Sequence, residues 1–67
     1  MTTEQFNALA QLLRIRDGLS RTAASLVLVD GLTQAAAARQ TGLGPAGVGN
    51  AVSRLKKGLE LAKLAAA

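Results

Sequence analysis

Sixty-seven residues with eight Lys and Arg against four Asp and Glu, a net charge of +4, make one small basic domain spanning residues 1–67. The chain has no cysteine and no histidine, which excludes disulfides, thiol chemistry and the common metal-ligand clusters, so neither cofactor nor metal is expected. The four acids, Glu4, Asp17, Asp30 and Glu60, are dispersed along the chain; no carboxylate pair or nucleophile–base pair can be nominated, and no enzyme activity is expected.

The first helix is expected over about Thr3–Ile15. Phe6, Leu9, Ala10 and Leu13 recur at the spacing of one helical face. Thr2, with Gln5 three residues on, has the form of a capping box. Asp17-Gly18 reads as the turn that ends this segment. A second helix is expected over about Arg21–Asp30, with Ser20 as N-cap. The apolar run Leu26–Val29 alone would also suit a buried strand. It continues back through Thr22, Ala23, Ala24 and Ser25 without a break, and no second strand exists to pair with it. Gly31 then stands as the C-terminal glycine.

A third helix should start after Thr33, a good N-cap, and end near Thr41. The fourth should begin near Pro45, where the missing amide costs nothing, and continue to about Leu64. Together these two helices read as a helix-turn-helix. Ala38 is small, as a close helix crossing requires. Gly42 stands where the chain must turn through positive φ. Val48 and Val52 fill the wedge between the helices. The fold class expected is therefore all-α: a small four-helix domain containing a helix-turn-helix, with an extended last helix.

A helix-turn-helix places the front of its second helix in the DNA major groove. Asn50 can pair with an adenine edge and Arg54 with a guanine edge; Ser53 is a weaker reader. Thr33, Gln34, Arg39, Lys56 and Lys57 are assigned to phosphates, which position a protein without specifying sequence. No acid occurs between Gly31 and Leu59, so this segment is the positively charged part of the chain. Gly47 and Gly49 carry no side chain to read a base. Phe6 is the only aromatic residue, which leaves no stacking platform for single strands.

Val48, Val52, Leu55, Leu59, Ala62 and Ala66 follow a 4-3-4-3-4 spacing. Gly58 interrupts it, at about 1 kcal/mol relative to alanine. A chain this short buries only about 60% of its unfolded surface, and association is a common source of added stability. Leu55, Leu59 and Ala62, with Leu61 and Leu64 beside them, are the expected homodimer contact. No apolar run approaches the roughly 20 residues of a membrane span. The first residues, MTTEQF, lack the basic start and apolar stretch of a signal peptide, so a cytoplasmic location is expected.

The chain resembles the DNA-binding domain of the TrfB/KorA plasmid transcriptional repressors. The match begins at Thr3-Glu4-Gln5-Phe6. It continues through Val27-Leu28-Val29-Asp30-Gly31, Gln34-Ala35, Gly42-Leu43, Val48, Ala51-Val52 and Arg54, and covers most of residues 2 to 57. Gly42 to Gly49 also looks, more locally, like the turn of lambda-type phage repressors. The resemblance implies an all-helical repressor that binds palindromic operators as a dimer. The family carries a separate C-terminal dimerisation domain beyond this region. It also has polar and basic residues where this chain has Gly44 and Pro45. Asn50 stands at the family's glutamine, and Arg54 matches its arginine.

The function expected is sequence-specific repression on double-stranded DNA, with a protein co-repressor as a further candidate partner. Two alternatives compete with it. One is a protein-interaction module that inhibits or recruits a partner through the apolar C-terminal stripe. The other is a basic amphipathic last helix lying on membranes.

Overall fold

The computed structural model describes residues 1–66. Four helices follow one another: α1 (Thr3–Leu12), α2 (Leu19–Leu28), α3 (Gln34–Thr41) and α4 (Pro45–Ala66). No strand occurs among the described residues. The all-α, four-helix reading holds, and so does the extended last helix.

Local chemistry accounts for most helix ends. Thr2 and Gln5 form the capping box. The Gln5 amide donates to Thr2 Oγ1 at 3.1 Å, and the Thr2 amide donates to Gln5 Oε1 at 3.0 Å. Thr33 caps α3 by accepting from the Ala36 amide at 3.1 Å. Gly42 closes α3 in the left-handed conformation, φ +78°, and its amide donates to the Ala38 carbonyl at 2.9 Å. Pro45 opens α4.

Four helix ends differ from expectation by two or three residues: the end of α1, both ends of α2, expected over Arg21–Asp30, and the end of α4, which runs to Ala66 rather than about Leu64. α1 stops at Leu12, one turn before Ile15. The cause is a Schellman closure. The Ile15 amide donates to the Ala10 carbonyl at 2.9 Å, and the Arg14 amide to Gln11 at 3.1 Å. Arg14 takes the left-handed position, φ +56°, where glycine is the usual occupant. α2 starts at Leu19, so Ser20 lies inside its first turn and Gly18 is the N-cap. The earlier start sets Asp17 and Arg21 one turn apart, where they pair at 3.4 Å. The helix ends at Leu28, and Gly31 turns the chain at φ +78° just beyond it.

α2 packs against all three other helices, and α4 does the same. The core holds Phe6, Leu9 and Ala10 from α1, Ala23 and Ala24 from α2, Ala37 and Ala38 from α3, and Val48, Val52 and Leu55 from α4. Half of it is alanine, which lets the helix axes approach closely but removes little apolar area per residue. The longest dimension, 37 Å, is close to the ~33 Å that a helix of α4's length spans.

The dimer stripe read from the sequence needs correcting. Leu55 is 0% exposed and belongs to the core, with no surface left for a partner. The remaining positions face two ways. Leu59 and Ala62 line an apolar groove against α1, with Met1, Ala8 and Leu12. Leu61 and Leu64 protrude elsewhere, 57% and 72% exposed. Gly58 is also more than an interruption. A Cβ there would lie 2.5 Å from one Leu13 methyl and 2.8 Å from the other. The glycine is what lets Leu13, just past the end of α1, seat on α4.

Candidate nucleic-acid interface

The α3–α4 unit has the internal packing a helix-turn-helix needs. Ala38 is buried, Gly42 turns the chain, and Val48 and Val52 are closed off beneath it. This fixes which side of α4 looks outward. At about 100° per residue, Asn50, Ser53 and Lys57 fall opposite Val48, Val52 and Leu55, and all three are exposed. Lys57, assigned from sequence to phosphates, therefore shares the outer stripe with the candidate base readers.

Arg54 lies to one side of that stripe. It and Asn50 line a cleft with Ile15, Ser20, Arg21 and Gly47. Arg54 also borders an adjoining cleft walled by Arg14, Arg16 and Ser20. The opposite flank carries Gln34, whose Oε1 lies 3.3 Å from where a Gly49 Cβ would be. Lys56, one helical repeat beyond Gly49, is exposed on that same side. Thr33 is exposed at the head of α3, with its oxygen engaged as the cap acceptor and its hydroxyl proton free to donate. Arg39 stands apart from these residues, over the outer side of the turn with Ala35, Leu43 and Pro45. No carboxylate lies in the segment between Gly31 and Leu59; the nearest in sequence beyond it, exposed Glu60, stands one turn past Lys56 and Lys57.

Arg14 and Arg16 are absent from the residues expected at the interface. Their only sequence signal is the density of arginine in RIRDGLSR, at positions 14–21. Arg21 of the same run is engaged within the fold. Its guanidinium donates to the Ile15 carbonyl and to Asn7 Oδ1, each at 3.3 Å, besides pairing with Asp17. It pins the α1–α2 connection to both flanking helices.

No protein family, curated protein or solved structure matches this chain. No helix among the described residues is long and apolar enough to cross a membrane. Nor do those residues contain a group of three His, Cys, Asp or Glu able to hold a metal ion.

Proposed function

We infer that the chain is a sequence-specific, DNA-binding transcriptional repressor that occupies a palindromic operator as a homodimer in the cytoplasm. One observation carries the reading. A Thr33-capped helix, a left-handed Gly42 and a Val48/Val52 wedge leave Asn50, Ser53 and Lys57 exposed on the outer face of α4, in a stretch free of acids. The resemblance to the TrfB/KorA repressors points the same way. Asn50 suits an adenine edge, and Ser53 and Lys57 extend the contact along the groove. Thr33, Gln34 and Lys56 suit the phosphates beside it.

The dimer contact fits the apolar groove of Leu59 and Ala62 against Leu12 and Met1. A symmetric dimer on adjacent turns of the duplex requires its two recognition helices to sit about 34 Å apart. The same groove would seat a co-repressor or another protein partner, which is the interaction-module alternative.

Selection from a random duplex library tests the reading. The wild type should enrich an inverted repeat. Asn50→Ala should relax one position per half-site by roughly 1–3 kcal/mol of discrimination. Equal affinity for every duplex would remove the repressor reading and favour the protein-interaction module.

A further inference from the structure

The α1–α2 corner holds a basic cleft that the helix-turn-helix does not account for. Arg14 and Arg16 wall it from the corner, Arg54 from α4, and Ser20 from α2. None of the three arginines forms an ion pair among the described residues. The one acid of the cleft, Asp17, is turned to Arg21 instead.

The backbone adds an independent observation. Arg14 occupies the left-handed position of the Schellman closure, a conformation that a side chain other than glycine adopts only at a cost in stability. Strain of this kind is kept where the residue serves another purpose. The corner is also held in place. Arg21 bonds the Ile15 carbonyl, and the Ile15 amide bonds back to Ala10, so Arg14 and Arg16 project from an anchored segment. A fork of guanidinium donors suits phosphate oxygens. The cleft adjoins the flank of α4, where the backbone of a groove-bound duplex would run.

We propose that Arg14, Arg16 and Arg54 form a phosphate-binding cleft that grips the DNA backbone beside each half-site. The inference rests on the DNA-binding reading and extends it to the α1–α2 corner. Arg54, the sequence-assigned guanine reader, is in this arrangement a backbone contact.

The test measures binding of the full chain to a random-sequence duplex of about 30 base pairs across a salt series. Each phosphate contact contributes about 0.9 to the slope of log affinity against log salt. Arg14→Gln with Arg16→Gln should therefore flatten the slope by about 2 per protomer. Lys63→Gln, at the far end of α4, serves as the control and should leave it nearly unchanged. Arg14→Gly should raise the melting temperature while weakening binding, a combination that a purely structural role would not produce. Arg54→Gln should weaken random and selected duplexes alike.

Wild-type binding with an unaltered slope in the double variant overturns the cleft and leaves the repressor reading standing. So does a loss per charge equal to that of Lys63→Gln. Selective loss at one base pair on Arg54→Gln returns that residue to base reading and overturns its place in the cleft. A wild type that binds no duplex overturns both proposals.

Discussion

Arg21 is the residue that organises the connection between the first two helices. Its partners are unequal. Asp17 is 98% exposed, and an ion pair in that setting contributes about 0–1 kcal/mol. The bonds to the Ile15 carbonyl and Asn7 are different in kind, because they tie α1, the corner and α2 together. Hydrogen bonds from a charged donor contribute about 1.5–3 kcal/mol in favourable settings; at 3.3 Å, and partly exposed, these fall at the low end or below. Arg21→Ala should lower the free energy of unfolding by about 1–2 kcal/mol, while Asp17→Asn should change it by under about 0.5 kcal/mol. Urea titrations of both variants check this. Equal losses would show that the ion pair dominates and that the carbonyl contact adds nothing.

At the scale of the element, α4 carries three glycines that helix propensity alone would treat alike. Alanine in place of an interior helical glycine gains about 0.8–1.0 kcal/mol. At Gly47 the nearest atom to an added Cβ is Leu43 Cβ, 4.0 Å away, so Gly47→Ala should stabilise the fold by roughly 0.5–1 kcal/mol. At Gly58 the added carbon meets Leu13 at 2.5 Å. The Leu13 backbone is tethered, its amide bonded to Leu9 at 3.0 Å, so its side chain must leave the contact. Overpacking of this kind costs about 1–3 kcal/mol, and the atoms met are the methyl ends of a half-buried side chain, so the low end of that range applies and offsets the propensity gain. Gly58→Ala should therefore leave the melting temperature close to that of the wild type, whereas Gly47→Ala raises it; a clear fall at Gly58 would show that Leu13 cannot repack. The same comparison explains why the heptad-like spacing through Leu55 and Leu59 is misleading as a dimer signal. Up to Gly58 that face of α4 is covered by the chain's own helices.

For the whole molecule, the limiting quantity is core size. A core half made of alanine, in a chain of this length, supplies no more than about 3–5 kcal/mol of net stability. Leu55→Ala should cost about 2–5 kcal/mol, enough to abolish cooperative unfolding; circular dichroism during thermal melting will show it. Leu12, 65% exposed at the edge of the α1–α4 groove, offers the opposite case. Leu12→Lys should keep the helical spectrum while reducing the light-scattering mass from about twice 6.8 kDa to that of one chain. A wild type that scatters as one chain throughout the micromolar range would dismiss the dimer. Binding of the dimer to DNA should fall on the order of 10³–10⁵-fold between 50 and 200 mM salt if about 6–10 phosphates are contacted. Affinity flat over that range would contradict a phosphate-based interface.

The four helices and most of their caps, Ser20 excepted, were legible in the sequence because they depend on residues within about four positions of one another. Thr2 with Gln5, Thr33, Gly42 and Pro45 each act on their own turn of the chain, and the 3.6-residue period marks Phe6, Leu9, Val48 and Val52 as inward-facing whatever they meet. The outer position of Asn50 and Ser53 follows from that same period. Tertiary packing alone decided the rest. It put Leu55 inside rather than at an interface, set Leu13 on Gly58, and brought Arg14 and Arg16 beside Arg54. These pairs lie some forty positions apart in the chain. Periodicity says which face of a helix is apolar, but which neighbour covers it depends on how tightly the alanine-lined helices cross.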